Sequence, residues 1–232
     1  PPHTKVSPQT RIHALHTLAG LDVLKNETLK AALRDDHPAV REHAVRLCEG
    51  GRETLARQCL TDKDPRVLRQ LAFTLGEGKG PLISESLVYL AVQHRDNADI
   101  QLAVKSSAAP HAAAMLREIF ASDKQPPQDI TSHLLKLATS GNNQEALAQV
   151  LTEMGNPKYR LVKVKMMSGF LDALNAQGQT LSVFHGKANA RLKEAINGTE
   201  VLFKYARNNP DDPLAIPLLT RGLSHHEADR LK

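Results

Sequence analysis

The feature that most constrains this chain is a short pattern that returns four times in its first half. Arg11-Ile12-His13-Ala14-Leu15 recurs as Arg41-Glu42-His43-Ala44-Val45, then as Arg69-Gln70-Leu71-Ala72-Phe73 and Ile100-Gln101-Leu102-Ala103-Val104. The alanines Ala14, Ala44, Ala72 and Ala103 stand 30, 28 and 31 residues apart. The approach to the pattern repeats too: Leu33, Asp35, Pro38 and Val40 precede Leu60, Asp62, Pro65 and Val67 by 27 residues each. A period of roughly 20–50 residues marks units that bury their apolar faces only against the next copy.

Each unit reads as two helices. Leu29, Ala32 and Leu33 share one face of a first helix, and Asp35-Asp36-His37-Pro38 is the turn after it. Carboxylates precede the second helix and Pro38 takes its first position, where the missing N–H costs nothing. Val40, Ala44, Val45 and Leu47 form the apolar stripe of that helix, and Gly50-Gly51 ends it. Leu55, Cys59 and Leu60, then Val67, Leu71, Ala72 and Leu75, repeat the arrangement, with Pro65 again opening a second helix and Asp62 again before it. The small alanine at the same point of each second helix predicts close approach of neighbouring helices. No alternating strand pattern interrupts this stretch. The expected class is all-α, an α-α superhelix of HEAT-like solenoid type.

Pro8 precedes Arg11 by three residues, as Pro38 precedes Arg41. The chain therefore reads as opening on the second helix of a truncated repeat, as an excised piece of a longer protein would. Beyond about residue 122 the period fades. The expected organisation is HEAT-like repeats over 1–122 and a divergent helical continuation over 123–232, joined through 123–128. Helices are expected over 129–140, 143–153, 159–176, 184–207, 211–222 and from 225 onward. Gly141-Asn142-Asn143, Gly155-Asn156-Pro157 and Asn208-Asn209-Pro210 mark breaks.

Several stretches carry a family resemblance. They are Arg11 to Leu21, Ala32-Leu33-Arg34-Asp35, Val40-Arg41-Glu42-His43-Ala44-Val45-Arg46-Leu47 and Gln70-Leu71-Ala72-Phe73-Thr74-Leu75-Gly76-Glu77. Together they resemble short bacterial HEAT repeats, and more closely the HEAT region of planctomycete-type membrane-bound dehydrogenase proteins. His16 departs from that family, which has Trp there. The likeness covers about residues 10–110 well and the rest loosely. It implies an extracytoplasmic protein (periplasmic or cell-surface) with a β-propeller dehydrogenase domain before this region and a c-type cytochrome domain after it. The region in hand would then be a non-catalytic scaffold whose partners are those flanking domains or another protein. Haem c would lie elsewhere in the parent, because no Cys-x-x-Cys-His motif is present here.

The residue chemistry excludes more than it selects. With no Trp, three Tyr and five Phe among 232 residues, stacking platforms for sugars or single-stranded bases are not available. Two cysteines cannot form a disulfide framework or a four-Cys zinc site. No catalytic, cofactor-binding or metal-binding set is read from the chain. His13 and His16 lack the glutamate and third ligand of a zinc-protease helix, and His225-His226 diverge on a helix. Gly76-Glu77-Gly78-Lys79-Gly80 follows a helix rather than a strand and lacks the Gly-Lys-Ser/Thr ending, so it is a repeat junction. No apolar stretch approaches the roughly 20 residues of a membrane span. Cys48 and Cys59 are expected unbridged, since about seven helical residues put their Cα atoms ~10 Å apart against the ~7 Å a disulfide tolerates.

The arginines are the candidate site. Arg41, Arg46, Arg66 and Arg69 fall on second helices, which line the inner curve of HEAT solenoids. One reading is a basic concave groove for acidic partners or nucleic acid. The favoured reading is a ladder in which these arginines pair with Asp35, Asp36, Asp62 and Asp64. The net charge of +5 is too small for a nucleic-acid groove, so nucleic acid is the less favoured partner.

Overall fold

The computed structural model describes residues 6–121, 128–140, 144–155, 160–213 and 215–230. Among them every regular element is helical and none is a strand. They fall into two compact units, Pro1–His111 and Ala112–Lys232.

The first unit is built from α1 (Pro8–Gly20), α2 (Asn26–Ala32), α3 (Pro38–Arg46), α4 (Glu53–Ala56) with a 3-10 turn Arg57–Cys59, α5 (Pro65–Gly76), α6 (Pro81–Gln93) and α7 (Ala98–Ser107). Proline opens α1, α3, α5 and α6, the position where its fixed φ suits a helix. Side chains cap the starts: Ser7 accepts from the Thr10 N–H, Asp64 from Arg66 and Asn97 from Ile100. At α3 the cap is His37, whose Nδ1 accepts from the Ala39 N–H at 3.3 Å. Asp35 and Asp36, expected as caps, do not serve there: Asp35 instead accepts the His37 N–H at 2.8 Å within the turn.

The second helices pack in chain order, α1 on α3, α3 on α5 and α5 on α7. The first helices lie behind them, α2 on α3, α4 on α5 and α6, and α6 on α5 and α7. Ala44, Ala72 and Ala103 are wholly buried in this stack. Ala14, expected to pack in the same way, is exposed, because no helix before α1 among the described residues covers it. Two glycines make the turns their conformations require. Gly50 and Gly51 take φ +80 and +123 after α3, in the left-handed region that side chains avoid. Gly76 permits contact of α5 with α7: a Cβ there would stand 2.6 Å from the Ser107 Cβ.

The second unit comprises α8 (Ala112–Ala121), α9 (Gln128–Ser140), α10 (Gln144–Gly155), α11 (Arg160–Ala176), α12 (Leu181–Lys187), α13 (Ala190–Gly198), α14 (Glu200–Asn208) and α15 (Ala215–Arg230). It too is layered: α8 packs on α10 and α10 on α13, while α9 packs on α11 and α11 on α15. Met115, Leu116, Ile130, Leu134 and Phe170 are fully buried between the layers. The helix expected over 184–207 is instead three. Thr180 caps α12 through the Val183 N–H, and Asn189 caps α13 through the Leu192 N–H at 2.8 Å. Ala188 is extended between them, and Thr199 separates α13 from α14. Conversely, α15 runs through the break expected after 222, where neither Pro nor an Asn-Gly pair stops it. Residues 123–127 of the expected linker, and Gly141-Asn142-Asn143, lie outside the described residues.

Candidate functional site

The arginine ladder forms, and it ties successive repeats together. Arg11 of α1 donates from Nη2 to Asp35 of the next turn at 2.7 Å. Arg41 of α3 meets Asp62 of the following turn bidentately, Nε to Oδ2 at 2.6 Å and Nη2 to Oδ1 at 2.9 Å. Its remaining nitrogen, Nη1, donates to the carbonyls of Asp35 and Asp36 at 2.8 and 3.2 Å. The repeat period is what makes this possible. Arginine near the start of one second helix faces aspartate three residues before the next. Burial pushes the Asp35 and Asp62 carboxyls up, yet the arginine hydrogen bonds and the backbone N–H groups of His37 and Asp64 outweigh it and hold both below the usual range.

The other arginines behave differently. Arg66 closes on Asp64 of its own helix start at 2.9 Å, an exposed local pair. Arg46 finds no carboxylate; its Nε and Nη2 donate to Gln70 Oε1 at 3.2 and 3.0 Å. Gln70 passes the network on, donating to Glu49 Oε1 at 3.1 Å and to Thr74 Oγ1 at 3.2 Å. Thr74 is fully buried and donates toward the Val45 carbonyl of α3. Arg69 makes no ion pair among the described residues. Two sequence differences accompany this: Arg69 stands four residues after Pro65 where Arg41 stands three after Pro38, and Arg95 occupies the place before α7 that Asp35 and Asp62 occupy before α3 and α5. Of the four candidate arginines, then, two are held by aspartates, one by a glutamine and one is left over.

Two further features of this face were not legible in the repeat pattern. His16 Nε2 and His43 Nδ1 lie 2.9 Å apart with their rings edge to face at 5.0 Å, so one imidazole donates to the other. Burial, then the neighbouring His16 and Arg46, pushes the His43 pKa down. Its repeat equivalent His13 is exposed. The second feature is a shallow cleft of about 340 Å³ between Phe73, Glu77, Ser106 and Pro110. Phe73 remains 41% exposed on α5, and Leu102, one turn before Ser106 on α7, is 64% exposed. The Gln70 and Thr74 pair could have been found, because two polar residues four apart interrupt the apolar stripe of α5.

Among the described residues no group of three His, Cys, Asp or Glu side chains is placed to hold a metal ion. The side chains of His225 and His226 lie outside the described residues. Cys48 and Cys59 are buried free thiols, pushed by burial to about 12 and about 11. The glycine-rich run 76–80 serves packing: Gly78 faces Glu53 and Ile83, and Gly80 starts α6 at φ +100. Among the described residues no helix is long and apolar enough to cross a membrane. Comparison with protein-family models, curated proteins and solved structures returns no match to this chain.

Proposed function

We propose that this chain is a non-catalytic HEAT-like repeat scaffold that presents the second helices of its first unit to a protein partner. The observation that carries this reading is how the cations of that face are used. Arg11 and Arg41 are spent on Asp35 and Asp62, and Arg46 on Gln70, so they hold the stack together rather than facing a ligand phosphate. Phe73 of α5 and Leu102 of α7 remain exposed. A surface with most of its second-helix arginines held by side chains of the stack and apolar groups uncovered suits a protein better than nucleic acid. By its resemblance to the dehydrogenase–cytochrome proteins, we place the chain between a β-propeller and a cytochrome c domain, outside the cytoplasm. It brings neither a cofactor nor an active site of its own there.

Fluorescence anisotropy with duplex DNA separates this reading from a basic-groove one. At ~150 mM salt the scaffold reading predicts at most non-specific affinity, of order 10⁻⁴–10⁻⁶ M. A submicromolar dissociation constant overturns it. Haem copurifying with the chain, or turnover of a sugar-like alcohol by it, overturns the non-catalytic assignment.

A further inference from the structure

The second unit contains a cleft that the scaffold role does not use. Its volume is about 490 Å³, within the ~300–1,000 Å³ usual for small-molecule sites. Helical spacing builds it. Leu181 and His185 lie one turn apart on α12, Phe203 and Arg207 one turn apart on α14, and Leu218 and Gly222 one turn apart on α15. Gly222 gives the Phe203 ring its place, since a Cβ there would stand 3.2 Å from Cε1. The walls are mainly apolar, with Leu218 fully buried.

Two polar groups of this lining have no protein partner among the described residues, the buried His185 Nε2 atom and the solvent-exposed Arg207 side chain. His185 Nε2 is withdrawn from solvent and has no hydrogen-bond partner. Leaving such an atom without a hydrogen bond opposes folding, and a ligand that completes the bond recovers that loss. Arg207 carries a positive charge at the same cleft and forms no ion pair among the described residues. The acidic group of the lining, Glu200, is seven residues away on α14, about 10 Å along the axis at ~1.5 Å per residue. Charge therefore separates along the cleft: an anionic head is favoured toward Arg207 and disfavoured toward Glu200.

We propose that this cleft binds a small organic acid, an apolar body bearing one carboxylate. The body fills the space against Phe203 and Leu218, and the carboxylate takes the His185 N–H and the field of Arg207. This inference is independent of the scaffold reading, which concerns the other unit.

The test is isothermal titration of the full chain with decanoate, decanol and decylamine, alongside His185→Phe, Arg207→Gln and Gly222→Leu. Decanoate is expected to bind saturably at one site and more tightly than either companion. His185→Phe keeps an aromatic ring but removes the N–H, and should weaken decanoate about tenfold, the scale of one hydrogen bond to a charged group. Arg207→Gln should weaken decanoate while leaving decanol unchanged. Gly222→Leu should abolish binding of all three, with helicity by circular dichroism reporting whether the variant still folds. No saturable binding of decanoate to the wild type overturns the proposal. So does equal or tighter binding of decanol or decylamine, or decanoate binding untouched by both His185→Phe and Arg207→Gln.

Discussion

Asp62→Ala should be among the most damaging single polar substitutions in the first unit. The Asp62 side chain is 6% exposed and that of Arg41 18%, so the pair is largely withdrawn from water. Breaking a buried pair by removing one partner costs about 3–5 kcal/mol, because the other charge stays buried. Arg41 is partly rescued here by the carbonyls of Asp35 and Asp36, which brings the expected loss to about 2–3 kcal/mol. Asp62 also accepts the Asp64 N–H at 2.9 Å, so the turn before α5 loosens as well. Urea unfolding followed by circular dichroism reads the effect. With a slope of ~1–3 kcal/mol per molar, the midpoint should fall by roughly 0.7–3 M. A double-mutant cycle with Arg41→Met should return a coupling of about 1–3 kcal/mol, as for residues in one network. The comparison is Glu145→Gln, which breaks the Arg191–Glu145 pair whose side chains are 59% and 58% exposed; such a pair is worth about 0–1 kcal/mol. If Asp62→Ala shifts unfolding no more than Glu145→Gln, the ladder does not hold the repeats together.

Three further outcomes follow from the same geometry. Ala44→Leu and Ala72→Leu should each cost ~1–3 kcal/mol by overpacking wholly buried contacts, measured by thermal unfolding, and near-normal melting would refute the packing role. The thiols of Cys48 and Cys59, raised by burial to about 12 and about 11, should resist alkylation by iodoacetamide at pH 8 until the chain is unfolded; rapid labelling of the native protein would contradict their placement. Stability should fall in two stages on acidification. His43 and His94 have folded pKa values lowered by burial, so the unfolded chain binds more protons below about pH 6.5 and unfolding is favoured as pH drops through that window. Asp35 and Asp62 are held below their ordinary 3.8, so their contribution is complete above that value and is lost as pH falls through their lower folded values. A urea midpoint that does not change between pH 7 and pH 3 would refute both assignments.

The first unit was legible because its information is periodic. Pro38 and Pro65 open helices where the pattern put them, and Arg41 meets Asp62 because the period brings the end of one turn beside the start of the previous second helix. What stayed hidden depends on contacts across the stack. The approach of His16 to His43 is not written in either helix alone, and the repeat pattern did not show that Arg69, one residue further from its proline than Arg41, would stay without an aspartate. In the second unit no period was available. The apolar residues between 184 and 207 fit one helix, and only the caps Asn189 and Thr199 divide it. That misreading hid the cleft, whose walls come from α12, α13 and α14 as separate helices.

Amide hydrogen exchange on Ala72→Leu tests the repeat stack most directly. In a stack where each repeat touches only its neighbours, a perturbed α5 should lose protection together with its neighbouring second helices α3 and α7 and with the first helices α4 and α6 behind it. Protection in α1, which is separated from α5 by α3, should fall less. Graded loss centred on α5 is the predicted result. Equal loss in α1, α3, α5 and α7 would mean that the unit unfolds as one cooperative globule, and would contradict the account of a nearest-neighbour repeat array.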